Sequence, residues 1–357
     1  MTLPAKIDGL TKAFLVFGLI LFSAILLYYG AGVLIPLAIA LLVWFLINAL
    51  TTGFQRISLG TIKISRSLAL SLSMAVIVIA GIFVVDLVVV NVSEMSTRKF
   101  DFDKSLNPMI DKFADFAGIS NKDILNQIFD KIGIETLLKK IITAMAGFAS
   151  QLGVIVIYVI FLLIEQQFFD AKLKALVRDE EKRQQIHAIL DRVADDIQSY
   201  MRIMTLLSGL TAILSYAAMK WLGLEYAGFW TFLIFILNFI PTIGSILATA
   251  LPTLFALLQY QNFSDPLILL AVIGLIQFLI GNFLQPRLAS KTLNMSQFVV
   301  ILSLFVWGAF WGVTGMFLAV PMTAILMIIL SNFESTQPVA ILMSQNGRIV
   351  ISGHKPT

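Results

Sequence analysis

The sequence predicts an all-α polytopic membrane protein with about six full transmembrane helices plus two re-entrant helical hairpins in an inverted-repeat arrangement, and three observations predict it. First, 59% of its 357 residues are hydrophobic and 13% charged, with a mean hydropathy of +0.92, whereas soluble domains average about 45–50% apolar and about 25% charged. Second, uncharged runs recur at the length a bilayer demands. Third, two runs, 226–259 and 298–331, are too long for one crossing and are interrupted by Pro and Gly.

A helical crossing needs about 20 apolar residues to cover a hydrocarbon core of roughly 30 Å. Regions 13–29, 33–50, 68–90, 144–168, 202–222 and 266–285 meet that need. Lys6 and Lys12 precede the first run, but no small-x-small cleavage site follows and the next run starts at Val33. A retained helix and a tight turn are expected rather than a cleaved signal. Pro36 opens the second span, where a first-turn proline is tolerated. Residues 1–90 thus form an N-terminal three-helix membrane unit. The 91–140 segment is amphipathic and extracytoplasmic. It carries Phe100, Phe102, Ile110, Phe113, Phe116, Ile124, Ile128 and Phe129, with breaks at Asn107-Pro108, Gly118 and Gly133. Residues 141–169 hold the fourth helix. Residues 170–200 form a charged cytoplasmic helix whose Ile186, Leu190, Val193 and Ile197 make one apolar stripe. That stripe packs on its own protein or a neighbouring subunit, or else carries a regulatory partner site. Residues 201–331 form a core with the two broken hairpins, and 332–357 a cytoplasmic tail.

Loop charges set the orientation. The 51–67 loop carries Arg56, Lys63 and Arg66 without an acid, and the 286–297 loop carries Arg287 and Lys291 without an acid. Both loops are therefore cytoplasmic, which requires 226–259 to start and end on one face. Each half of that stretch is about 15 residues, or roughly 22 Å of helix, short of the hydrocarbon core. A hairpin with its tip at Pro241 to Gly244 satisfies charge and length together. In 298–331 the corresponding tip is supplied by Gly312, Gly315 and Pro321. The alternative for each stretch is one long, tilted, Pro-kinked helix.

The chemistry available is narrow. There is no cysteine, and the two histidines, His187 and His354, lie in polar segments. No metal site, cofactor motif or phosphate loop is present to expect, and enzymatic function is not expected. The net charge of +4 is modest and points to no nucleic-acid partner. Asp86 and Glu165 are the carboxylates placed for ion coupling, since an acid within a membrane segment is costly and marks function by default. Asp86 also suits a snorkelling or paired role near the outer end, and Glu165 an interfacial one. The remaining polar groups are neutral: Asn238, Thr242 and Ser245 at the first tip, Thr314 at the second, and Gln277, Asn282 and Gln285 on the span between. Amides and hydroxyls donate and accept hydrogen bonds. The set suits a small, neutral, hydroxyl-rich solute, or simply holds helices together. Two other readings stay open: a sodium/proton antiporter, and a scaffold or receptor acting through the 170–200 helix.

Three segments carry a family resemblance: LNFIPTIGSILATALP (237–252), IGNFLQPRLASKTLNMSQFVVILSLFVWGAFWGVTGMFLAVP (280–321) and PVAILMSQNG (338–347). As a set they resemble the AI-2 exporter family, and the order of segments is similar over nearly the whole chain. The resemblance implies a bacterial inner-membrane protein that exports autoinducer-2, a small polyol signal of quorum sensing. It further implies a homo-oligomer, expected as a pentamer, and hairpins like those of elevator transporters. Some relatives of this kind are sodium/proton antiporters. Carried onto this sequence, the motifs place Asn238, Pro241 and Gly244 at one tip. They place Asn282, Gln285, Pro286 and Arg287 at the end of the intervening span, and Gly312, Gly315 and Pro321 at the other tip.

Overall fold

The computed structural model describes residues 9–56, 58–59, 62–97, 134–260, 262–289 and 294–348. Apart from a two-residue β-ladder, Ser58–Leu59 (β1) against Ile62–Lys63 (β2), its regular elements are helical. Helices Ala31–Arg56, Arg66–Asn91, Glu180–Leu222, Ile243–Tyr260, Ser264–Leu288 and Gln297–Ser331 are each long and apolar enough to cross a membrane. The chain is a multi-pass membrane protein.

Helix α1 (Gly9–Tyr29) and α2 (Ala31–Arg56) meet at Gly30 alone. The Gly30 N–H bonds the Leu26 carbonyl and Leu34 bonds Gly30, so helical bonding carries through the expected turn. Helix α3 (Arg66–Thr97) and α4 (Ile134–Glu165) extend the predicted spans into the 91–140 region. Residues 98–133 of that segment, with most of its predicted amphipathic pattern, lie outside the described residues. Between α4 and α5 (Phe169–Leu176) the axis bends by 64°.

The boundary expected at residue 200 is absent from the backbone. Helix α6 runs unbroken from Glu180 to Leu222, 43 residues or roughly 64 Å. No Gly or Pro interrupts residues 180–208, so nothing stops the charged helix from continuing into the apolar one. Its start is capped by Asp179, whose carboxylate accepts from the N–H groups of Glu181 and Lys182 at 3.0 and 3.3 Å. Its end is set by Gly223 in the left-handed region (φ 78°), with Leu224 N–H closing back on Met219. The stripe read at Val193 and Ile197 is buried, in one core with Ile39, Phe45 and Ile155 from α2 and α4.

Helices α7 (Ala227–Leu237) and α8 (Ile243–Tyr260) form a hairpin. At its base the Gln259 side-chain oxygen accepts from Glu225 N–H at 2.8 Å and its amide donates to the Gly223 carbonyl at 3.0 Å. The Tyr260 hydroxyl donates to the Leu222 carbonyl at 2.7 Å. On one straight helix residues 225 and 259 would stand roughly 50 Å apart, so a single kinked crossing is excluded. Between the arms Trp230 and Phe255 stack with centroids 5.3 Å apart.

Helix α9 (Ser264–Leu279) passes through a π-helical turn, Ile280–Leu284, into α10 (Gln285–Ala289). Helix α11 (Gln297–Ser331) leaves helical geometry at Trp311 (φ −128°, ψ 15°) and Gly312 (φ 59°, ψ −140°). Beyond that point it folds back, because the Trp307 indole N–H donates to the Thr323 hydroxyl at 3.0 Å. Sixteen residues of straight helix would separate them by roughly 24 Å. Helix α12 (Gln337–Met343) closes the chain against the base of this second hairpin, with Ser296 N–H bonded to the Met343 carbonyl.

The two tips share a device. A Cβ at Gly244 would lie 1.8 Å from the Leu237 carbonyl oxygen, and one at Gly315 would lie 1.9 Å from that of Trp307. Each returning arm starts so close to the end of its partner that only glycine fits. Pro321, expected at the second tip, instead lies buried inside the returning arm. The reversal is made at Trp311 and Gly312, where a positive φ is available without a Cβ.

Candidate functional site

The break in the first hairpin positions the first polar group. Asn238 caps the C-terminus of α7. Its N–H still bonds the Ile234 carbonyl, which leaves the side chain to reach sideways. The Asn238 side-chain oxygen accepts from the Gln277 amide at 3.0 Å, fastening the tip to α9. Phe239 turns the other way and packs on Phe317 of the second hairpin, with centroids 5.1 Å apart. Thr242 follows with φ 61°, a left-handed conformation uncommon for a β-branched residue. It is exposed, and both it and Ser245 face a cavity.

That cavity has a volume of about 1010 Å³, the upper end of the range for small-molecule sites. One wall is the tip, with Asn238, Pro241, Thr242 and Ser245, and a second is α9 and its π-turn, with Gln277, Asn282 and Gln285. Asn282 donates to the Phe278 carbonyl at 3.0 Å. The π-turn widens the helix at this point, a local feature that recurs at functional sites. A third wall is the middle of α6, with Met204, Leu207, Ser208 and Thr211, and Gln297 and Gln345 stand at the rim. Among the described residues none that lines it is Asp, Glu, Lys, Arg or His.

Five of the six residues predicted to bind solute, Asn238, Thr242, Gln277, Asn282 and Gln285, therefore line one cavity. Thr314 does not. It is half-buried at the second tip, in the region held by the Trp311 indole, which donates to the Leu27 carbonyl at 2.9 Å. Gly244, Gly312 and Gly315 shape the reversals and are not among the lining residues. The two carboxylates read for ion coupling are also elsewhere: Asp86 is exposed on α3, and Glu165 forms an exposed ion pair with Lys172. Among the described residues no cluster of three His, Cys, Asp or Glu could hold a metal.

A family model described as "AI-2E family transporter" matches residues 15–335. The chain belongs to the AI-2E transporter family. Among relatives of known name, "AI-2 transport protein TqsA" of Escherichia coli K12 is 28% identical over 346 residues, covering 95% of this chain and 96% of that protein. "Putative transport protein YhhT" from the same organism is 26% identical over 322 residues, 89% of each chain. A "Putative transport protein" of Borreliella burgdorferi is 33% identical over 213 residues, 59% of each.

Reading the sequence missed the α6 wall. Its signal was present: Thr205, Ser208, Thr211 and Ser215 recur at spacings of 3, 3 and 4 in an otherwise apolar run, and Ser208, Thr211 and Ser215 fall close to one helical face.

Proposed function

We propose that this AI-2E member exports a small, neutral, hydroxyl-rich solute, with autoinducer-2 the leading candidate. The observation that carries this reading is that the polar side chains lining the cavity, among the described residues, are all amides and hydroxyls. Such groups pair with the hydroxyls of a polyol in both senses, donor and acceptor. A site that hydrogen-bonds a hydroxyl also rejects analogues that lack it, because its buried polar groups would be left unpaired. The name of the relative TqsA supplies the specific candidate.

In this reading the α7–α8 and α11 hairpins are re-entrant, enter from opposite faces as an inverted repeat, and gate the site. A mobile unit carries the solute in an elevator-like movement against a scaffold supplied by a homo-oligomer, expected as a pentamer. The loop charges Arg56, Lys63, Arg66, Arg287 and Lys291 favour both termini on the cytoplasmic side, and the family resemblance implies a bacterial inner membrane. The rim at Gln285 and Pro286 then faces the cytoplasm, the side from which an exported solute loads.

Uptake of labelled autoinducer-2 into inverted vesicles tests the reading, with an Asn238→Ala/Asn282→Ala double variant alongside. Uptake by the parent and its loss in the variant is the expected result. Equal uptake by both removes the site assignment, and no uptake by either removes the substrate.

A further inference from the structure

Most buried hydroxyls among the described residues are partnered: those of Ser303, Ser331 and Ser344 bond the carbonyl three residues back, at 2.7 to 2.8 Å, and that of Thr323 accepts from the Trp307 indole. Those of Thr51, Ser73, Thr211 and Thr253 bond the carbonyl four residues back, at 2.7 to 2.8 Å. This is the usual solution for a hydroxyl inside an apolar medium. Among the described residues five buried side-chain polar atoms have no partner, and four of them lie on α6: the hydroxyls of Tyr200, Thr205, Ser208 and Ser215. The fifth is the Trp230 indole N–H, on α7, which packs against α6. Leaving such a group unpaired costs about 1–3 kcal/mol. Four on one helix point to partners that the folded chain itself does not supply.

Their register says where those partners come from. Ser208 is 1% exposed and lines the cavity. Ser215, fully buried, stands two turns further along the same face, with Thr211 between them. Tyr216 and Lys220, which line a second cavity of about 610 Å³, are exposed and turned roughly 100–140° away around the helix, so the stripe ends buried at Ser215. The three hydroxyls thus make a polar seam that runs from the cavity wall into the closed interior.

We propose that Ser208, Thr211 and Ser215 form a hydroxyl track that extends the solute site past the open cavity, and that neutral polyols occupy it during transport. This rests on the reading above that the cavity binds such a solute. Ser208 is the station reached in this structure. Ser215 is the occluded one, opened when the α7–α8 hairpin moves relative to α6.

The chain has no native cysteine, so single Ser208→Cys and Ser215→Cys variants can be probed directly in proteoliposomes. The probe is 2-sulfonatoethyl methanethiosulfonate applied to both faces. Only a thiol that meets water ionises and reacts, so a merely lipid-facing position stays silent. Ala256→Cys, at a fully buried position in α8, gives the background. Both serine-site variants are expected to react at least tenfold faster than Ala256→Cys, and excess autoinducer-2 or erythritol should slow both. Background reactivity at Ser215→Cys alone ends the track at the cavity and overturns the proposal while leaving the solute site standing. Background reactivity at Ser208→Cys overturns the cavity and both readings. Reaction without protection by either polyol overturns the solute class assigned to the track.

Discussion

The Gln277 amide holds the Asn238 side-chain oxygen at 3.0 Å, so the tip of one hairpin and the span beside it are fastened by a contact that the solute would have to share or break. A neutral hydrogen bond of this kind contributes about 0.5–1.5 kcal/mol net. Asn238→Ala and Gln277→Ala are each expected to lower transport about tenfold. The double variant should be little worse than either, because the two residues act as a unit. A double-mutant cycle on solute flux in inverted vesicles measures this, and strictly multiplicative losses would show that the pair is not coupled.

The tip glycines make a stability prediction. Gly244→Ala and Gly315→Ala each drive a methyl into a backbone carbonyl less than 2 Å away. Such overpacking costs about 1–3 kcal/mol, and both variants should melt earlier in detergent. Gly153→Ala, where nothing lies within 4 Å, should melt at the parental temperature or slightly above it, since alanine is the better helix former.

Thr242 holds φ 61° with a branched side chain. The left-handed region costs an ordinary residue about 1–2 kcal/mol, and Asn visits it more readily. Thr242→Asn should therefore raise the melting temperature while keeping a hydrogen-bonding group in the cavity, and flux should persist. A lower melting temperature would mean that Thr242 gains from its neighbours more than it loses in its backbone.

Asp196 gives a pH dependence outside the membrane-spanning part of α6. Burial raises its carboxyl above the usual carboxylate value, partly opposed by Arg192, whose Nε stands 3.8 Å away, and reinforced by Asp195. A carboxyl raised in the folded state adds stability at low pH, where it is protonated, and that contribution is lost as pH rises through its folded value. Asp196→Asn should therefore raise the melting temperature at pH 7–8 and leave it unchanged below about pH 4. An equal shift at both pH values would separate the effect from ionisation.

The carboxylates outside the cavity make the opposite prediction. Asp86 is exposed on α3 and Glu165 is paired with Lys172 at an exposed bend. Asp86→Asn and Glu165→Gln should retain solute flux, with the same response to an imposed proton gradient. Loss of gradient dependence in either would bring ion coupling back to that residue.

Much of this fold was legible because bilayer length and loop charge are strong constraints. A stretch of 226–259 without a single Asp, Glu, Lys, Arg or His and with Pro241 at its middle admits few shapes, and Arg287 with Lys291 beyond it restricts them further. Five binding candidates were legible because polar side chains in an apolar span stand out. What escaped was relational. Ser208 and Ser215 look like ordinary membrane-helix serines until their missing partners are known. Pro321 was read as a tip because proline usually breaks helices, whereas here the positive φ at Gly312 makes the reversal and the proline is buried beyond it. The continuity of α6 was hidden because a change from charged to apolar composition resembles a boundary, although no residue there ends a helix.

That continuity has a mechanical meaning. The charged end of α6, the buried stripe at Val193 and Ile197, and the cavity wall at Ser208 belong to one shaft. A helix transmits rotation along its length with little slack, so a torque applied among the charges near Glu180 arrives at the serines as a turn of the same sign. Whatever grips that outer end, the chain's own α5 included, holds a crank on the cavity wall.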